Sequence, residues 1–113
     1  MTEQVKNQQQ EPDGQQGSIN DIDDVIHGRL RLGVMAYLST VNPASFAELI
    51  ERTGATNGNL STHLGKLEAA GYVTQVKGYN GKRPQTLVHL TDDGRAAWID
   101  YLDAMKQLLG EQD

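Results

Sequence analysis

A chain of 113 residues without a cysteine has room for one domain with a modest core, and it excludes disulfides, thiolate metal centres and cysteine redox switching. No apolar run approaches the roughly 20 residues of a membrane span, and the amino terminus is Gln-rich instead of basic and then apolar, so a soluble cytoplasmic protein is expected. The formal net charge of −5 argues against a polyanionic partner only until its distribution is read.

That distribution is uneven. Residues 25–90 hold Arg29, Arg31, Arg52, Lys66, Lys77, Lys82 and Arg83 against Glu48, Glu51 and Glu68, whereas the acids collect in residues 1–24 and 91–113. Within the acidic start, residues 1–18 offer only Met1 and Val5 to bury among Gln, Asn, Gly, Pro and acids, which predicts a disordered tail. Asn20 or Asp21 is the expected cap of a first helix. Ile22, Val25, Ile26, Leu30, Val34, Tyr37, Leu38 and Val41 keep a helical period there, with Gly28 and Gly33 as weak points that allow a break near His27. Leu32 and Met35 lie off that stripe, so this helix should meet a second partner besides its own core. Pro43 lacks an amide hydrogen and drives Asn42 out of the helical region, which ends the element.

Ser45 followed by Glu48 has capping-box spacing and predicts a short helix from Phe46 to about Thr53, burying Phe46, Leu49 and Ile50. Gly54 supplies a turn, and Thr56 or Asn57 caps a second helix over 56–70 with a narrow apolar stripe of Leu60, Leu64 and Leu67. Short helix, tight turn and second helix make a helix-turn-helix; an ordinary αα-hairpin is the plain alternative. The far side of the second helix speaks for the first. Asn57, Asn59, Ser61, Thr62 and Lys66 are short donors and acceptors plus one cation, suited to base edges and phosphates, where a solvated face would carry mainly Glu and Lys.

Gly71 stops this helix, and Tyr72 to Lys77 is strand-like. Residues 78–84 read as a loop with an Asn80-Gly81 turn signal and Lys82 and Arg83 at its tip, after which Thr86, Val88 and Leu90 alternate in a return strand. A two-stranded hairpin with a basic tip directly after a helix-turn-helix describes a wing, placed to reach phosphates or a minor groove. Thr91 caps a last helix, with Asp92 and Asp93 in its first turn and Ala97, Trp98, Tyr101, Leu102, Met105, Leu108 and Leu109 at spacings of three and four. With little of its own domain left to cover, it is read as a dimerisation helix packed on the first helix and its symmetry mate; folding back on the monomer core is the alternative. The expected organisation is a tail over 1–18, one domain over 19–110 and a short tail over 111–113. His27 and His89 lack ligand-spaced partners, and no P-loop, Ser-His-Asp set or carboxylate pair is discernible, so neither an enzyme nor a metal or other cofactor is expected.

The string Leu60-Ser61-x-His63-Leu64-x-x-Leu67-x-x-Ala70-Gly71-Tyr72-Val73, followed by Thr86-x-x-x-Leu90-Thr91-x-x-Gly94-Arg95, resembles the small MarR/ArsR-like winged helix-turn-helix transcriptional regulators over about residues 22–109. The resemblance implies an α+β, mainly helical fold with a two-stranded wing and a carboxy-terminal dimerisation helix. It further implies a homodimer on palindromic double-stranded DNA, the second helix in the major groove and the wing on backbone or minor groove. By position, Asn57, Asn59, Ser61 and Thr62 would face bases or nearby phosphates. Arg31, His63, Lys66, Lys77, Tyr79, Lys82 and Arg83 would serve phosphates or the wing. Leu32, Met35, Trp98, Tyr101, Leu102, Met105, Leu108 and Leu109 would form the dimer interface. Gly58 and Gly65 leave the reading helix little to reach bases with, so specificity should lean on the wing and on DNA shape. The cysteine clusters of metal-sensing relatives are absent, so metal-triggered release is not inherited; a small-molecule or protein effector stays open. The expected function is a sequence-specific regulator, acting as a repressor. The competing reading is a winged-helix protein-interaction module, for which the acidic flanks speak.

Overall fold

Local side-chain hydrogen bonds break the first expected helix before it forms. In the computed structural model, which describes residues 17–110, Ser18 caps a single 3-10 turn, Ile19–Asp21, by accepting from the Asn20 amide at 3.1 Å while Asp21 Oδ2 accepts from the Ser18 amide at 3.1 Å. Asp23 Oδ1 then accepts from the amides of Val25 and Ile26, at 2.8 and 3.3 Å. Short acids and hydroxyls offer the backbone these alternatives to a helical ladder, and here three of them act in succession. Residues 17–28 therefore form an irregular strap, and the expected cap at Asn20 or Asp21 does not start a long helix. Gly17 and Ser18 belong to this strap, whereas the remaining expected tail residues, 1–16 and 111–113, lie outside the described residues.

Helix α1 (Arg29–Leu38) begins only after the extended Gly28 and buries Val34, Met35 and Leu38. A two-residue strand β1 (Ala44–Ser45) leads into α2 (Phe46–Thr53), whose capping box is formed: the Glu48 amide donates to Ser45 Oγ at 3.0 Å and the Ser45 amide to Glu48 Oε1 at 2.9 Å. Gly54, at φ 71°, turns the chain, and Thr56 Oγ1 caps α3 (Asn57–Ala69) by accepting from the Asn59 amide at 3.1 Å. α3 ends in a Schellman arrangement: Gly71 adopts φ 84°, its amide donates to Glu68 O, and the Tyr72 amide donates to Leu67 O.

Strands β2 (Val73–Asn80) and β3 (Arg83–Leu90) pair antiparallel along their full length, from Val73 opposite Leu90 to Asn80 opposite Arg83. The loop expected over 78–84 is thus mostly strand, closed by Gly81 and Lys82 alone. The sheet has three strands instead of two, in the order β1-β3-β2, because Ala44 and Ser45 pair with Val88 and Leu87. Pro84 is tolerated in the central strand since β1 reaches only residues 87 and 88, leaving the other edge of β3 open beside the proline.

Helix α4 (Asp92–Leu108) is capped by Thr91 Oγ1, which accepts from the Gly94 amide at 2.9 Å. A Cβ at Gly94 would run into the Tyr72 carbonyl and lie 2.9 Å from Leu90 Cδ1, so the helix approaches the start of β2 where only glycine fits. Beyond that approach α4 is tied to the strap. His27 Nδ1 and Tyr101 OH are 2.9 Å apart, the Gly17 amide donates to Gln107 O at 3.3 Å, and Ile22, Ile26 and Tyr101 are buried in the common core. The element expected to pack as the first helix against α4 is this strap. No helix of the described residues is long and apolar enough to cross a membrane.

Candidate nucleic-acid interface

The core-facing leucines orient everything else on α3. With Leu60, Leu64 and Leu67 fully buried, a 100° step per residue sends Gly58, Thr62, Gly65 and Ala69 directly away from the core, and all four are exposed. A Cβ at Gly58 or Gly65 would meet nothing within 4 Å, so the outward ridge is smooth and open. Asn57, Asn59 and Ser61 are exposed as well, yet they do not share one side. Asn57 and Ser61 line a concavity of about 740 Å³ between α3, the start of α2 and the hairpin, together with Lys77, Arg83 and Gln85. Asn59 lies on the opposite flank beside His63.

The hairpin is set against α3 by a specific pair of hydrogen bonds. Glu68 accepts from the Gln75 amide at 3.2 Å and from Gln75 Nε2 at 3.0 Å, coupling the last turns of the helix to the strand that leads to the basic tip. Lys77, Lys82 and Arg83 are exposed along this ribbon, and Tyr79 stands 75% exposed near its end. Lys66 is exposed on α3. The cationic side chains of the hairpin and the polar ones of α3 thus border one open surface.

Arg31 is the exception among the expected phosphate contacts. It is turned inward: Nε donates to Val25 O, Nη2 reaches Asp24 O at 3.4 Å, and Nη1 lies 2.8 Å from His63 Nδ1. Each of its three nitrogens is tied to the strap or to α3, so it is held in place as a structural cation. His63 is held below the ordinary imidazole range, first by burial and then by the charges of Arg31 and Lys66. A second strap tie joins the Tyr72 hydroxyl, as donor, to Asp23 Oδ2; this hydrogen bond and burial push the Tyr72 pKa up to about 12. Two members of the expected dimer seam, Met35 and Tyr101, are interior to the single chain and leave no surface for a second copy. Leu32, Trp98 and Met105 are half-buried, and Leu102, Leu108 and Leu109 are exposed. Ile99, which the helical spacing does not select, is 52% exposed. Nor does the sequence single out Glu68, Gln75, Arg29 or Arg52 for this surface; the two arginines are visible there only as charge, because nothing local says which way they face. Among the described residues no three His, Asp or Glu side chains gather as a metal site.

The winged helix DNA-binding domain family model matches residues 30–109. An uncharacterised protein of Methanocaldococcus jannaschii is 32% identical over 84 residues, covering 74% of this chain and 91% of the relative. The solved transcriptional regulator homologue of Pyrococcus horikoshii superposes with a TM-score of 0.70 at 30% identity, over 75% of this chain and 84% of that one. A MarR-like transcription regulator of Bacillus cereus gives a TM-score of 0.55 at 27% identity, over 83% and 73% of the two chains. With its helix-turn-helix, hairpin and terminal helix matched in order, the chain belongs to the winged helix DNA-binding domain family and is a DNA-binding transcriptional regulator.

Proposed function

We propose that the chain represses transcription as a homodimer bound to a palindromic operator, with one α3 per half-site in major grooves about 34 Å apart and the hairpin on backbone or minor groove. The observation that carries this reading is the shared open surface of Asn57 and Ser61 with Lys77 and Arg83, bordered by the exposed Thr62 ridge. Asn57, Asn59, Ser61 and Thr62 read base edges or adjacent phosphates, while Lys66, Lys77, Lys82 and Arg83 neutralise phosphates and Tyr79 packs on the sugar-phosphate edge. The glycines of the ridge let the α3 backbone come close to the groove floor but supply no donors, so DNA shape contributes to selection. Exposed Ile99 and Leu102 on α4, with Leu109 just past its end, are the apolar surface a second copy would cover. Repression needs only occupancy of the operator, which a small dimer provides. Such a role places the protein in the cytoplasm.

The test is equilibrium binding to duplex DNA over a range of salt. Lys82→Ala with Arg83→Ala is expected to lower affinity for every sequence and to flatten the plot of log K against log salt by about 0.9 for each phosphate no longer neutralised. A double variant that binds as the parent does removes the wing from this account. The acidic flanks support one competing reading, a protein-interaction module, and DNA association that is absent or insensitive to salt would favour it.

A further inference from the structure

Arg29, Arg31, Arg52, Asn59 and His63 line a groove of about 700 Å³ between the start of α1, the end of α2 and the flank of α3 turned away from the hairpin. The three arginines are in different states. Arg29 and Arg52 are exposed; the Arg52 guanidinium lies 5.0 Å over the Tyr37 ring, which restrains where its charge sits, and Arg29 has no hydrogen-bond or ion-pair partner among the described residues. Arg31 is anchored to Val25 O and to His63 Nδ1. A guanidinium can only donate, so His63 Nδ1 accepts, and the neutral ring carries its proton on Nε2. Arg31 Nη2 passes close to Gly28, where a Cβ would lie 3.0 Å from it.

We propose that this groove is a second phosphate-binding strip, in which Arg29 and Arg52 neutralise the DNA strand on the side of α3 opposite the hairpin, His63 Nε2–H donates to a phosphate, and Arg31 positions that imidazole. The inference rests on the DNA-binding reading and adds to it a second hold on the backbone. A helix lying in a major groove about 12 Å wide has a sugar-phosphate backbone on each side. Lys77 and Arg83 serve one side, and this groove presents cations and a fixed donor to the other. Arg31 acts only through His63 and is a positioning residue.

The full chain is tested by fluorescence anisotropy on a duplex at several salt concentrations, with phosphate ethylation interference to map both strands. Arg29→Gln with Arg52→Gln is expected to flatten the salt slope by about 1.8, the value for two phosphates, and to abolish interference on the strand opposite that affected by Lys82→Ala with Arg83→Ala. Arg31→Lys keeps the charge but is expected to lower affinity several-fold and to mix the two ring tautomers of His63, read from imidazole nitrogen-15 shifts. The strip is overturned if the Arg29/Arg52 variant keeps the parent's slope and interference pattern while the wing variant changes both, and the DNA-binding reading then stands. If the parent shows no salt-dependent binding, that underlying reading fails and this one with it. An unchanged His63 tautomer pattern in Arg31→Lys overturns the positioning role.

Discussion

Arg31 and Lys82 carry the same charge, yet the fold gives them opposite tasks: one guanidinium is buckled to backbone carbonyls and a histidine, the other cation stands exposed at a hairpin tip. Burial and hydrogen-bond partners, not residue type, separate a structural cation from one available to a phosphate. The polar residues of α3 divide in the same way around the helix, Asn57 and Ser61 toward the hairpin, Thr62 on the ridge and Asn59 on the far flank. Asn57→Ala or Thr62→Ala is therefore expected to relax preference among operator variants by about 1–3 kcal/mol for each base edge no longer read, with little change in salt slope, as competition between matched and mismatched duplexes would measure. His63 links this surface to pH. Its folded value is depressed, so the unfolded chain takes up the proton first as pH falls. The stability it contributes is complete above the ordinary value of about 6.5 and is lost as pH drops through the folded value. Denaturant midpoints should fall between pH 7.5 and pH 5.5 in the parent, and by less in His63→Gln.

Elements whose signals lie within a few residues form where the chain order predicts them. The capping box of Ser45 and Glu48, the turn at Gly54, the Thr56 and Thr91 caps and the stop at Gly71 each concern groups at most five residues apart, and each is made. Two elements are not readable in this way. Strand β1 is only Ala44 and Ser45, too short for any alternation, and exists because β3 offers it a partner. The strap keeps a helical spacing of apolar residues, since Ile22 and Ile26 do enter the core, but Ser18, Asp21 and Asp23 capture its backbone first. Gly94 shows the element scale acting through one residue, because the angle at which α4 leaves the sheet depends on its missing side chain. Gly94→Ala is expected to destabilise by about 1–3 kcal/mol or more, an overpacking cost. For a domain of this size that lowers the melting temperature by roughly 4–8 °C per kcal/mol, which calorimetry would read.

For the whole molecule, the net charge of −5 and the cationic surface coexist because the acids and bases are separated along the chain and then sorted in space. Cations from α2, the hairpin and the start of α1 border the two concavities beside α3, while α4 carries Asp92, Asp93, Asp100 and Asp103. The apolar stripe of α4 belongs to this scale too, since several of the residues expected to join two copies are used inside one. If the remaining surface holds a dimer, Ile99→Glu with Leu102→Glu should yield a monomer in sedimentation equilibrium. That monomer should keep its helical circular dichroism but bind a palindrome no more tightly than a single half-site.

By itself the chain order determined the helix-turn-helix and the hairpin after it, both consequences of periodicity, caps and turns acting over a few bonds. Only the tertiary structure decided that Arg31 serves His63, 32 residues away, that Asp23 holds Tyr72 at a separation of 49, and that His27 meets Tyr101 at 74. Such pairings have no local signature, because loop closure lets any two distant segments meet and the packing of the buried leucines, isoleucines and tyrosine selects which of them do.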